Sequence, residues 1–241
     1  MRTDRRRARS PAALSLAAAL VVFVAPILVF AAPARAQQAM GGRSAWKAGT
    51  VSIEARGGLG LASGALADLT GGVGTFVGGG LSVQLSPNFA LRADGSGEFL
   101  DEGVVPSSPV GIMPPLRLIN ADGGIEIDFP QTDPEKPPLF ANLYLGVGAT
   151  NVHATPITNM PDTPEGNAVN NFSKTYLSFH GFAGFGYQPT RSVLFFVRGE
   201  TYFVLLRDAD AALFRAVAPG LDPFNRFWEH PVSAGVRLSI G

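Results

Sequence analysis

Thr50-Val51-Ser52-Ile53-Glu54-Ala55-Arg56-Gly57-Gly58-Leu59-Gly60-Leu61 decides how this chain is read. Val51, Ile53, Ala55, Leu59 and Leu61 share one parity; Ser52, Glu54, Arg56 and Gly58 share the other. A period of two puts the two sets on opposite faces of a β-strand. A helical period would mix Glu54 and Arg56 into the apolar stripe, so a helix is excluded here. The result is a strand with one apolar face and one charged face.

The same rhythm recurs in about eight segments of roughly 10 to 14 residues, a length that suits tilted membrane strands. From Val73 to Leu85, Val77, Leu81, Val83 and Leu85 oppose Gly78, Gly80, Ser82 and Gln84. After the turn at Ser86-Pro87-Asn88, Phe89, Leu91, Ala93 and Phe99 oppose Arg92, Asp94, Ser96 and Glu98. Over 117–129, Ile119, Ala121, Ile125 and Ile127 oppose Asn120, Asp122, Glu126 and Asp128. Over 139–149, Leu139, Leu143, Leu145 and Val147 oppose Asn142, Tyr144 and Thr150. Over 175–188, Leu177, Phe179, Ala183 and Phe185 oppose Ser178 and His180. The seventh segment, 193–205, sets Arg198, Glu200 and Tyr202 on the charged face but adds Leu194, Phe196 and Val204 to it, so its alternation is imperfect. The eighth, 231–240, sets Val232, Ala234, Val236, Leu238 and Ile240 against Ser233 and Arg237.

The links alternate in length. Those near 86–88 and 188–191 are short, while 101–115, 151–174 and 206–229 are long and rich in Pro, Asp, Asn and Ser. The link at 62–72 is intermediate, and 130–138 is longer than a tight turn. Short turns at one end and long loops at the other are the pattern of outer-membrane barrels. The alternation alone does not say which face is inside: a soluble sandwich or lipocalin-like barrel would bury the apolar parity. Two features favour charges inward. The charged parity is rich in glycine, which suits a crowded narrow lumen, and Phe89, Phe99, Phe129, Tyr187 and Phe203 lie near strand ends, where interfacial aromatic girdles belong.

The chain opens with Arg2, Arg5, Arg6, Arg7 and Arg9, runs apolar from Pro11 to Ala34, and reaches Ala34-Arg35-Ala36 before Gln37. That order reads as a secretory signal peptide over 1–36. The apolar run is long enough to span a bilayer, so a retained anchor is the rival reading. The whole chain has 19 basic and 19 acidic residues; the leader holds six Arg and one Asp, which leaves 13 basic and 18 acidic residues and a net charge of −5. A mildly acidic exported chain with no basic patch is a poor nucleic-acid binder. With no Cys, neither disulfides nor thiolate metal sites are available. A closed ladder of backbone hydrogen bonds would supply the missing stabilisation.

Leu81-Ser82-Val83-Gln84-Leu85-Ser86-Pro87-Asn88-Phe89-Ala90-Leu91-Arg92 and the final Gly235-Val236-Arg237-Leu238-Ser239-Ile240-Gly241 resemble the small outer-membrane β-barrel proteins of Gram-negative bacteria, the OmpA, OmpX and opacity-type barrels. The resemblance is architectural and covers most of the chain beyond the leader. It implies an all-β fold, an eight-stranded antiparallel up-and-down transmembrane β-barrel over 50–241, preceded by a short periplasmic segment at 37–49. It implies the cell outer membrane as location, with outer-membrane lipids and lipopolysaccharide as surroundings and the barrel-assembly machinery as partner during insertion. Such proteins commonly end in an aromatic residue, whereas this chain ends Ile240-Gly241, a departure that bears on its route of insertion.

By parity the expected lumen holds Glu54, Arg56, Arg92, Asp94, Glu98, Asp122, Glu126, Asp128, Arg198, Glu200 and Arg237. In a barrel only wide enough for side chains, buried charges must pair. The expected role is a structural plug of Arg–carboxylate pairs; a narrow, weakly cation-selective path is the alternative. Barrel enzymes that modify lipid A need a His with Ser or carboxylate partners at the outer rim. Here His180 shares its face with Ser178, a pair read as a lumen hydrogen bond, while His153 in a loop and His230 at a strand edge are expected to face solvent. Asp208 and Asp210 lack the glycine-bearing spacing of a calcium loop, and Asn171-Phe172-Ser173 reads as loop chemistry. Leu213, Phe214, Phe224, Phe227 and Trp228 make the last long loop aromatic; it is expected to fold over the barrel mouth or lie at the lipid interface, with a partner contact as the alternative. No catalytic residue, cofactor or metal ligand is assigned. The expected function is envelope structure or surface interaction through the loops, with the loop partner open. A small pore or hydrophobic-solute carrier of OmpW-like type is second, and a lipid A-modifying enzyme using His180 is third.

Overall fold

The computed structural model describes residues 46–104, 112–131, 136–217 and 226–240. The expected leader at 1–36 and Phe224 lie outside the described residues. The elements are β1 (Val51–Ser63), α1 (Ala65–Thr70), β2 (Val73–Ser86), β3 (Phe89–Leu100), β4 (Gly103–Val104), β5 (Ile112–Met113), β6 (Leu116–Pro130), β7 (Leu139–Ala154), α2 (Pro164–Asn170), β8 (Ser173–Thr190), β9 (Val193–Leu205), α3 (Asp208–Val217), β10 (Arg226–Glu229) and β11 (Val232–Ile240).

β1, β2, β3, β6, β7, β8 and β9 pair antiparallel in succession, and both β10 and β11 lie between β9 and β1. β10 and β11 are therefore two halves of one stave, and the sheet is a closed eight-stave ring. Closure removes the free edges, and every stave of the ring finds a hydrogen-bonding neighbour on both sides, while β4 and β5 pair only with each other. The interruption falls at His230-Pro231, where proline offers no N–H. The ladder continues through the groups that remain: His230 N–H donates to Leu61 O at 2.7 Å, and Glu200 N–H donates to Pro231 O at 2.8 Å.

Burial decides which parity faces in. Outward side chains form an apolar belt that includes Ile53 at 55% exposed, Leu145 at 77% and Phe185 at 58%. Inward side chains include Arg198 at 1% and Glu126, Asp128 and Arg237 at 0%. A soluble barrel would show the reverse. Water would not tolerate this continuous apolar belt, whereas hydrocarbon stabilises it. The fold is thus an all-β, eight-stranded antiparallel up-and-down transmembrane β-barrel.

Two ends of the lumen are apolar. At the long-loop end Leu66, Leu69, Leu100, Met113, Leu116, Leu118, Val152, Ala154, Val169, Phe172, Phe214 and Phe227 belong to one buried cluster. At the other end Trp46, Phe140, Leu194 and Phe196 form a second. Trp46 precedes β1 and is held by its indole N–H, which donates to Arg191 O at 3.0 Å. These clusters explain the imperfect seventh segment: Leu194 and Phe196 fill one end, and Val204 fills the other.

Two of the long links are shorter than the sequence reading expects. β7 runs on to Ala154 and β8 starts at Ser173, so 155–172 is the connection; 206–225 is reduced by α3 and β10. α2 is started by Thr163, whose Oγ1 accepts from Gly166 N at 3.0 Å, with proline in the first turn. α3 carries Asp208 and Asp210 in its first turn and Arg215 in its last, the order that suits the helix dipole. Both helices are too short to persist alone, and their apolar side chains anchor them to the barrel mouth. Phe172 and Phe214 meet edge to face with ring centroids 4.9 Å apart.

Candidate functional site

Between the two apolar ends lies a charged waist. Glu54 on β1 is its hub. Arg198 donates to Glu54 from Nη1 at 2.6 Å and Nη2 at 2.9 Å, a bidentate pair. Arg92 adds bonds of 2.7 and 3.0 Å, and Arg237 adds two of 3.1 and 3.3 Å. Register delivers this convergence, since Glu54 pairs directly with Arg237 on β11 and with Gly80 on β2. A Cβ at Gly80 would collide with the Arg92 guanidinium, so glycine makes room for it.

The other carboxylates complete the set. Asp94 takes Arg56 and Arg92, the latter at 2.8 Å from Nε. Glu200 accepts from Arg56 at 2.8 and 3.0 Å and from Ser233 Oγ at 2.7 Å. Glu126 accepts from Arg237 and Asn142. Asp128 accepts from Gln84 Nε2 at 2.9 Å. Aromatic rings border the guanidinium groups: Arg198 Cζ lies 3.7 Å from the Phe182 ring centroid and 4.4 Å from that of Phe196, and Arg237 Cζ lies 5.2 Å from that of Trp46. Charges this deeply buried persist because each is paired and hydrogen-bonded.

All eleven lumen residues of the sequence reading face inward. Glu54, Arg56, Arg92, Asp94, Glu126, Arg198, Glu200 and Arg237 form the connected network, with Asp128 at its margin, 3.8 Å from Arg237. Asp122 joins through His180, whose Nδ1 lies 3.1 Å from both Asp122 oxygens and whose Nε2 lies 3.2 Å from Glu200. His180 also stacks on Tyr202 with centroids 4.0 Å apart. Its partners are thus carboxylates on the neighbouring β9 and on β6, which parity alone did not single out. Asp94, Asp122 and His180 offer ligand atoms within 4.8 Å of one another, the spacing of a metal triad. Arg56 and Arg92 already hold Asp94, and Tyr144 Oη donates to Asp122 at 2.6 Å, so both carboxylates of the triad are engaged by other side chains.

Glu98 stands apart from the network, and a partner that the sequence reading missed stands with it. Glu229 on β10 is 0% exposed and faces Glu98, which is also 0% exposed. The signal was present: the inward parity of Ser233 continues back through Pro231 to Glu229 and Phe227.

Two histidines differ from expectation. His153 lies within β7, opposite Arg117 on β6, because the alternation continues past Thr150. His230 is half-buried rather than solvent-facing, with Nδ1 3.1 Å from Thr201 Oγ1 and Nε2 3.1 Å from Ser63 Oγ. On the described barrel strands the outward parity carries Arg117, His153 and Arg226, all at the long-loop end, and no carboxylate. Asp210 is ion-paired to Lys174 at 2.6 Å.

No protein-family model matches the chain, and no curated protein matches it with significance. Among solved structures, Neisserial surface protein A matches with a TM-score of 0.51 at 13% identity, covering 83% of this chain and 100% of that one. The N-terminal β-barrel domain of OprF from Pseudomonas aeruginosa has a TM-score of 0.43 at 14% identity, over 83% of this chain and 100% of that one. Ail, the attachment invasion locus protein of Yersinia pestis, has a TM-score of 0.40 at 12% identity, over 79% and 99%. The likeness to the Neisserial protein is one of fold, that of the small outer-membrane β-barrels of Gram-negative bacteria.

Proposed function

We propose that this chain is a non-enzymatic outer-membrane protein whose solid barrel holds a helical cap at the cell surface for envelope structure or surface interaction. The observation that carries this reading is the filling of the lumen at three levels: Trp46 with Phe140, the Arg–carboxylate waist, and the cap over the long-loop end. An eight-stranded barrel has room for side chains and little else. A plug of paired ions supports the structural reading over the pore or solute carrier. His180 supports the non-enzymatic reading, because it is 2% exposed at mid-lumen, between Asp122 and Glu200, and far from the rim where a lipid would present itself.

The basic outward rim supports the proposed location and orientation. Cations on the lipid face are costly at mid-membrane and tolerated near the interface. Arg117, His153 and Arg226 fall where anionic headgroups lie, and lipopolysaccharide phosphates are their proposed contacts. Reconstitution of the chain in planar bilayers tests the plug. The expected trace is silent under applied voltage. Steady single-channel openings would contradict the reading and restore the pore.

A further inference from the structure

Glu98 and Glu229 break the rule that the rest of the lumen obeys. At the waist every carboxylate accepts hydrogen bonds from a guanidinium, an amide or a hydroxyl group. None of the four Glu98 and Glu229 oxygens accepts a hydrogen bond from any other residue, although both side chains are fully buried; the two carboxyl groups have only each other within hydrogen-bonding reach. Their register neighbours supply no cation: Glu98 lies between Phe76 and Leu118, and Glu229 between Ala62 and Tyr202. Arg56 is already committed to Asp94 and Glu200. Two facing, buried carboxyl groups with no cation beside them are costly to ionise unless something neutralises them.

We propose that Glu98 and Glu229 form a binding site for a hard divalent cation, of the calcium or magnesium class, which ties β3 to β10 beneath the cap. Two carboxylates balance one divalent charge. Their four oxygens are hard ligands, and water completes the coordination such ions require. Gly60 on β1 lets the Glu98 carboxyl group take this position, since a Cβ there would strike it. Glu98 is paired in register with Leu118 of the cap cluster, so the ion would fasten the cap to the barrel from below.

The test uses the chain refolded in detergent without lipopolysaccharide, in calcium-containing buffer, then desalted. Elemental analysis is expected to find about one divalent ion per chain, falling at least about tenfold in the Glu98→Gln/Glu229→Gln variant. The folded and unfolded forms of a barrel migrate differently on a gel, so the same samples report folding. EDTA is expected to lower the conversion temperature of the wild type by several degrees and leave the variant unmoved. A metal-free wild type indifferent to EDTA, or equal retention of the ion by the variant, would overturn the proposal and leave a pair neutralised by protons.

Discussion

The waist is built from the inward parity of the staves and the cap largely from the links between them, and they fill the cylinder by opposite means. At the waist Arg56, Arg92, Arg198 and Arg237 interlock with Glu54, Asp94, Glu126 and Glu200. At the cap Leu66, Leu69, Leu116, Val152, Phe172 and Phe214 pack as an apolar layer, with the Lys174–Asp210 pair beside it. The difference teaches that a narrow lumen can be filled either by paired ions or by apolar packing, with Glu98 and Glu229 as the exception between them. It also separates two kinds of stability. The waist is tied across many strands, whereas the cap is an apolar layer laid on by short helices.

Breaking the hub should have the largest effect. Glu54→Ala leaves Arg92, Arg198 and Arg237 without their shared carboxylate, and removing one partner of a buried ion pair costs about 3–5 kcal/mol. The urea midpoint for loss of the folded gel band is expected to fall accordingly. Phe214→Ala removes a fully buried ring from the cap, worth about 3 kcal/mol in a packed core. Here the loss is expected to stay local. Amide exchange should accelerate in α2 and α3 and stay unchanged in β1, β2 and β9. Equal acceleration in the strands would show that cap and waist are one cooperative unit.

A smaller effect is expected for His180→Gln, which gives up the contacts to Asp122 and Glu200 at about 1–2 kcal/mol and keeps the barrel folded. Unfolding of the lipid-embedded protein by urea measures it. The smallest stability change, under about 1 kcal/mol, is expected for Arg117→Gln with Arg226→Gln, because both groups are exposed. That pair should instead reduce the amount of lipopolysaccharide that copurifies, by about fivefold for each cation removed.

The strands and the sidedness of their charges were legible in the sequence because a period of two needs only Ile53, Glu54, Ala55 and Arg56 in a row. Partner choice was not legible. Parity places Arg198 and Glu54 in one lumen, but only the closed register brings them within 2.6 Å. His180 illustrates the same limit: its neighbour Ser178 is two residues away, while its carboxylate partners are on β6 and β9. Glu229 was missed because Pro231 ends the eighth segment as a sequence pattern, although the stave continues beyond it. The cap was hidden for another reason. Pro164–Asn170 is a weak helix by propensity, and it forms because Val169 has an apolar surface to cover.

The central claim is that the apolar parity meets hydrocarbon. The chain has no cysteine, so Ile53→Cys, Leu145→Cys and Val197→Cys each give a unique spin-label site. In reconstituted bilayers, labels at all of these positions are predicted to collide readily with dissolved oxygen and to be shielded from a water-soluble nickel relaxant. Strong relaxation by the nickel reagent at Leu145→Cys and Val197→Cys in the folded protein would contradict the account.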